Sequence, residues 1–166
     1  MTKNKNLFWY VAGFIDGEGS FNISFTKQKY AHNNQGFKWL IHVCFQTYQH
    51  EDHRDILELL QKQVFHTGRI YRKSSPYHVF TYTVDNPRNL CEKIIPFFNK
   101  YKLIIKDKDF QLFKEVVQML LDKKHLTESG FKKILDIAFK MNANGKQRKY
   151  SKEYILETVK EQLSRK

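Results

Sequence analysis

Apolar residues fill positions 7–15 without a break and run straight into Asp16, Gly17, Glu18 and Gly19. Their density and length predict a helix over residues 7–18, closed by Gly19. The period then changes from helical to alternating. Phe21, Ile23 and Phe25 interleave with Asn22, Ser24, Thr26 and Gln28, the two-residue repeat of a half-buried strand. After a turn-like stretch at 32–36, Trp39, Ile41, Val43 and Phe45 give a second apolar face opposed by Lys38, His42 and Gln46, with Leu40 and Cys44 as exceptions. The two strands read as a hairpin with one wet face. Ile56, Leu57, Leu60 and Val64 place a helix over 50–65, and Gly68 marks its exit. Short strands at 68–73 and 77–85 follow, joined by Ser74-Ser75-Pro76. Asn86-Pro87 opens a helix to about residue 99 that Pro96 should kink or shorten. Three further helices are expected at 104–121, 127–141 and 151–163, separated by Lys123-Lys124-His125 and by a linker at 142–150. The order is αββαββα with a helical tail, an α+β pattern.

The first helix carries a cost that its own chain does not explain. Gly13 and Gly17 stand at i,i+4 inside it, and each glycine in a helix interior costs about 1 kcal/mol relative to alanine. Ala12, Gly13, Asp16 and Gly17 would form a small-residue face along which a second helix could approach closely. Glu18 sits at the helix C-terminus, where the macrodipole disfavours a carboxylate by roughly 0.3 to 1 kcal/mol. A bound divalent cation reverses that sign.

Composition narrows the partners. The chain has 166 residues, enough for one compact domain, and its 29 Lys plus Arg against 17 Asp plus Glu give a formal net charge of +12. A polyanion is the expected partner. The longest apolar run, nine residues, is far shorter than the roughly 18 that argue for a membrane span. Lys3 and Lys5 ahead of it imitate a signal peptide, but acids follow at once and an amphipathic first helix accounts for the run better. Cys44 and Cys91 lack metal-ligand spacing and read as reduced residues of an intracellular protein. Lys outnumbers Arg 23 to 6, the bias of A+T-rich coding DNA, which fits a mitochondrial or chloroplast gene whose product has no import presequence. The wet strand face would present Asn22, Ser24, Thr26, Gln28, Lys38, His42, Gln46, Arg69, Tyr71, Lys73 and Thr81, at about 7 Å intervals along each strand. Amides, hydroxyls and cations are the groups that read base edges in a major groove. An ordinary solvated face is the competing reading, and the surplus positive charge weighs for a duplex. In the linker, Lys146, Arg148 and Lys149 beside Tyr150 are either a phosphate clamp or merely soluble.

The segment Val11-Ala12-Gly13-Phe14-Ile15-Asp16-Gly17-Glu18-Gly19 resembles the signature of the LAGLIDADG homing endonucleases, single-motif homodimeric type. The likeness extends to Phe45-Gln46-Thr47-Tyr48-Gln49, to Lys106-Asp107-Lys108-Asp109-Phe110, and to the stretch from His125-Leu126-Thr127 to Met141-Asn142. Val11 replaces the usual leucine, and Glu18 stands where many relatives carry Asp; Glu is still a hard oxygen ligand. The resemblance implies a four-stranded antiparallel saddle with helices on its convex side, as one domain with a core at about 7–122 and a helical extension at about 123–166. It implies a homodimer that meets through Ala12, Gly13, Asp16 and Gly17 and cuts a long, pseudo-palindromic DNA duplex. Mg²⁺ is the implied cofactor, with Mn²⁺ or Ca²⁺ able to substitute in binding. Glu18 would hold the metal with the Gly17 carbonyl, Gln49 would orient solvent, and His53 or Arg54 would take the neighbouring basic position. Lys106 is the implied active-site lysine, with Lys102 and Lys108 as alternatives. An intron maturase and a non-catalytic sequence-specific DNA-binding protein are other occupants of the scaffold.

Overall fold

The computed structural model describes residues 2–29, 36–73, 78–141 and 148–164. The first helix, α1 (Thr2–Glu18), starts earlier than the apolar run alone indicates. It passes directly into β1 (Gly19–Lys29), which pairs antiparallel with β2 (Phe37–His50) from Gly19↔Thr47 to Lys29↔Phe37. A one-turn 3₁₀ helix, Glu51–His53, leads into α2 (Arg54–Leu59), which continues as a π-helical turn, Leu60–Phe65. His66 and Gly68, both at positive φ, then reverse the chain into β3 (Arg69–Arg72). The last strand, β4 (Val79–Val84), slots between its neighbours, so the sheet order is β1-β2-β4-β3 with every pair antiparallel. This is the expected α+β saddle, αββαββα in its core.

Helices cover one face of the sheet. The Asn86 side chain accepts from the N–H groups of Arg88 and Asn89 and starts α3 (Pro87–Asn89), followed by a π turn, Leu90–Ile94, and α4 (Ile95–Lys100). Pro96 does not shorten this helix. The wide turn ahead of it, in which the Ile95 N–H reaches the Leu90 carbonyl, ends where proline removes a donor. Helix α5 (Asp107–Leu121) follows, then α6 (Glu128–Lys140), capped by Thr127, and α7 (Lys152–Ser164). The turn expected at 32–36, apart from Gly36, and the Ser74-Ser75-Pro76 connection lie outside the described residues.

The alternation in β1 decides which face is dry. Phe21, Ile23 and Phe25 are buried beneath the helices together with Trp39, Val43 and Phe45 of β2. Phe21 stacks on Phe45 at 5.3 Å, Phe45 meets Phe98 at 5.7 Å, and Phe98 meets Phe110 at 5.7 Å, so α4 and α5 are fastened to the sheet through aromatic rings. Such contacts add about 0.5–1.5 kcal/mol per pair beyond the area they bury. Phe131 of α6 and Ile155 and Val159 of α7 belong to the same apolar cluster. Gly68 is the tightest point of the second hairpin. Its φ is +87°, and an added Cβ would lie 2.7 Å from the Thr83 carbonyl oxygen and 2.7 Å from the Tyr82 ring. Gly68→Ala is expected to destabilise the protein by more than about 1 kcal/mol, read as a lower guanidinium midpoint at unchanged slope. An unshifted midpoint would show that β3 and β4 accommodate the side chain.

Candidate functional site

The C-terminal end of α1 is where the sequence motif becomes geometry. Asp16 is 8 % exposed. Its carboxylate accepts the backbone N–H of Ile104 at 2.9 Å, of Ile105 at 2.9 and 3.0 Å, and of Lys106 at 2.9 Å. Burial alone would raise its pKa, but the three N–H donors and the nearby Lys106 charge outweigh it and hold the carboxyl below its ordinary value. This clamp corrects the helix expected at 104–121. Because their N–H groups are turned onto Asp16, residues 104–106 form a bend outside the helix, which starts only at Asp107. Ile104 and Ile105 are left 88 % and 78 % exposed.

The same clamp delivers Lys106. Its ammonium donates to the backbone carbonyl of Asp16 and, at 2.9 Å, to that of Gly17, the negative pole of α1. Lys102 and Lys108 are exposed, and Lys108 faces a separate groove with Leu112 and Phe139. Glu18 is exposed at the helix end, and its own carbonyl accepts the hydroxyl of buried Thr47 at 3.3 Å. The step from helix to strand is tight. A Cβ on Gly19 would come within 2.5 Å of Ile15 Cγ2 and 2.7 Å of the Ile15 carbonyl oxygen. Glu18 is therefore fixed at the α1–β1 junction, one residue from the carbonyl that Lys106 touches.

The small-residue face is narrower than expected. Ala12 and Asp16 are buried within their own protomer, because the line they form at i,i+4 faces the core with Val11 and Ile15. Of the four, Gly13 and Gly17 look outward, and an added Cβ at either meets nothing within 4 Å among the described residues. Exposed Trp9 and Tyr10 flank this ridge toward the N-terminus.

Gln49 and His53 come together elsewhere along α1. They line a cleft of about 350 Å³ with Tyr10, Phe14, Asp52 and Ile56. Gln49 is half-buried within β2, opposite Phe80, rather than after the strand. Arg54 is engaged otherwise: it pairs with Glu58 at 3.1 Å and lies over the Phe80 ring at 4.8 Å.

On the wet sheet face, Ser24, Thr26, Gln28, Lys38 and His42 are exposed and Asn22 and Gln46 half-exposed. Thr26 Oγ1 and His42 Nε2 share a hydrogen bond of 2.7 Å, and Asn22 donates to Ser20 Oγ at 2.9 Å. Tyr71 and Lys73 are also exposed, and the Lys73 ammonium sits 5.9 Å from the Tyr48 ring. Three expected contact residues are placed differently. Thr81 is 5 % exposed, set in register between Tyr48 and Tyr71, whose rings exceed it in reach. Arg69 is held by Asp85 through two bonds of 2.9 and 2.6 Å, which raises the guanidinium pKa and lowers that of Asp85. Arg148 donates to the carbonyls of Ala138 and, at 3.1 Å, Met141, capping α6 instead of reaching outward, and its burial lowers its pKa. Lys149 is exposed; Lys146 lies outside the described residues. Tyr48, 50 % exposed, was missed by sequence reasoning although its even position in β2 gave the signal.

Among the described residues, no group of three His, Cys, Asp or Glu side chains could hold a metal unaided, and no helix is long and apolar enough to cross a membrane. A cation at Glu18 would have the Gly17 carbonyl as its neighbouring hard oxygen.

An antiparallel saddle with a polar face, entered from a helix whose last turn holds a clamped acid and an exposed acid and is met by a lysine from the loop before α5, defines a recognisable class of protein. Residues 11–117 match the family model described as LAGLIDADG endonuclease, and the chain belongs to that family. A probable intron-encoded endonuclease of Neurospora crassa is 34 % identical over 134 residues, 81 % of this chain and 24 % of that protein. The chain thus spans about a quarter of that relative. Among solved structures, an archaeal intron-encoded homing endonuclease, I-Vdi141I complexed with DNA, superposes with a TM-score of 0.83 at 28 % identity, covering 95 % of this chain and 97 % of that one. The structure of I-SmaMI bound to uncleaved DNA target in the presence of calcium ions matches with a TM-score of 0.72 at 32 % identity, covering 90 % of this chain but 48 % of the other.

Asp16→Asn replaces one acceptor oxygen by a donor facing backbone N–H groups and should cost about 1–3 kcal/mol in thermal or urea unfolding at neutral pH. The sign with pH follows from the lowered pKa: the Asp16 contribution is complete above the unfolded carboxyl value of about 3.9 and is lost as pH falls through the folded value. The gap between wild type and Asp16→Asn should therefore close in acid. A gap that widened below pH 4 would contradict the clamp.

Proposed function

We propose that two copies of this chain form a site-specific double-strand DNA endonuclease that hydrolyses phosphodiester bonds with a divalent metal, Mg²⁺ in the cell. The observation that carries this reading is the convergence of Glu18, the Gly17 carbonyl and the Lys106 ammonium beside the bare ridge of Gly13 and Gly17. One chain offers one such carboxylate; a second copy across the ridge would supply another, so that a metal there would be held by Glu18 and the Gly17 carbonyl of each chain. The match to 48 % of the I-SmaMI chain is in keeping with this stoichiometry, since that chain has the length of two such units. When bound, the metal stabilises charge on the scissile phosphate and lowers the pKa of a water molecule. The Lys106 ammonium lies against the same carbonyls, where it can face a phosphorane developing at the α1 end. Gln49 and His53, in their shared cleft, are read as the groups that order solvent and protons.

The polar face supports duplex recognition. Exposed cations give sequence-independent affinity, and the amides and hydroxyls between them read base edges. A pseudo-palindromic target, one half-site per saddle, follows from the two-fold arrangement. Intron-encoded relatives and the A+T-biased composition support an organellar intron as the source.

Glu18→Gln is expected to keep duplex affinity within a few-fold and to lower the rate of double-strand cleavage in Mg²⁺ by at least about 100-fold. Gel-shift titration and plasmid linearisation measure the two quantities. Unchanged cleavage in Glu18→Gln overturns the ligand assignment. Tight, specific binding by the wild type with no nicking in either Mg²⁺ or Mn²⁺ identifies a non-catalytic DNA-binding protein instead.

A further inference from the structure

The β1–β2 hairpin is far longer than the sheet that supports it. Its strands pair over eleven positions, from Gly19↔Thr47 to Lys29↔Phe37, yet β4 joins β2 only between Phe45 and His50. Beyond Cys44 the hairpin is a ribbon of two strands, an arrangement that is marginal in water without a layer packed against it. Ser24, Thr26, Gln28, Lys38 and His42, most of the exposed polar groups of the wet face, stand on that ribbon.

Phe25 of the ribbon packs on Phe131 of α6 at 5.8 Å, and further out the ribbon is backed by a box of four aromatic rings gathered around one ammonium. Lys27 lies on the same side of β1 as Phe25, away from the wet face. Its Nζ is 4.1 Å from the centre of the Phe37 ring, 4.3 Å from Tyr154, 5.0 Å from Tyr150 and 5.3 Å from Trp39. It also donates to the Tyr154 hydroxyl. Two walls of the box come from β2 and two from the start of the C-terminal helical segment, so the charge bridges the ribbon and α7. The Trp39 indole N–H donates to Thr158 Oγ1 at 3.0 Å, one turn further along α7, and completes the attachment. Cations held over several ring faces are attracted by each quadrupole, most strongly where water is displaced.

We infer that Lys27, caged by Phe37, Trp39, Tyr150 and Tyr154, is a positioning residue that sets the outer half of the recognition face by latching the two-stranded ribbon to α7. The inference rests on the endonuclease reading for what the face recognises. Lys27 does not touch the duplex. It fixes the height and tilt of the side chains that do, and α7 is thereby a specificity element for the base pairs furthest from the cut. The catalytic end of α1, attached to the four-stranded part of the sheet and to the loop before α5, is independent of the latch.

The test compares wild type, Lys27→Met and Lys27→Arg on duplexes that the wild type selects from a randomised library. Affinity and cleavage are measured for every single-base substitution in one half-site. In Lys27→Met, discrimination at the outer positions should fall from the roughly 10- to 100-fold of a read base pair to about twofold. Inner positions, and the cleavage rate at saturating duplex, should stay within about twofold of wild type. Lys27→Arg, which keeps the cation, should restore the outer profile. Hydrogen exchange on the free protein gives a readout without DNA: α7 amides should exchange faster in Lys27→Met while those of α5 do not. Outer discrimination unchanged in Lys27→Met overturns the inference. So does an equal loss on all sequences with the salt slope reduced by about one, which would make Lys27 a phosphate contact. A wild type that selects no sequence removes the endonuclease reading and this inference with it, whereas a selective wild type with an indifferent Lys27→Met removes the inference alone.

Discussion

One carboxylate organises the molecule around its site. Asp16 takes three consecutive backbone N–H groups from a segment 88 to 90 residues away in sequence, and so joins the end of α1 to the entrance of α5. A buried acid in an apolar core would be costly if it were not so fully bonded. With those bonds it fixes a loop that has no regular structure of its own and turns the last of the three residues, Lys106, back onto the carbonyls of the helix that carries Asp16. Remove the carboxylate, and three N–H groups lose their acceptor and the lysine loses its address.

Asp16 also explains how α1 is divided. The line through Ala12 and Asp16 belongs to the protomer, and the neighbouring line through Gly13 and Gly17 meets nothing among the described residues. Glycine there is unfavourable for the helix and brings no packing gain against the described residues. The gain is assigned to the proposed second copy, whose backbone can come close only if no Cβ intervenes. Charge follows the same division. Lys106 donates to the Asp16 and Gly17 carbonyls at the helix end, while exposed Glu18 is set where a partner's acid and a shared cation would meet.

How much of this was legible depends on whether the signal was local. The strict alternation of Phe21, Ile23 and Phe25 with Asn22, Ser24 and Thr26 announced both the dry and the wet face of β1, and the glycine pair announced α1 as unusual. Asp16 itself was visible, but its partners were not: no local pattern in 104–106 says that a distant acid will claim those N–H groups, so a helix was expected to begin three residues early. Arg69 and Arg148 read as free cations for the same reason. Asp85 lies on another strand end and the Ala138 and Met141 carbonyls at a helix terminus, and such pairings are made by tertiary structure. Thr81 shows a different limit. Its parity placed it on the wet face correctly, but parity says nothing of the tyrosines on either side that cover it. The box around Lys27 gathers residues up to 127 positions apart and left no trace in the local sequence.

The central claim is that each chain builds half of a site, finished only when a second copy lies against the glycine ridge. Sedimentation equilibrium of the wild type on its selected duplex, with Ca²⁺ in place of Mg²⁺ to prevent cutting, tests this most directly. The account predicts two chains per duplex. A complex of one chain per duplex, under conditions in which replacing Ca²⁺ by Mg²⁺ yields cleavage of both strands, would contradict it.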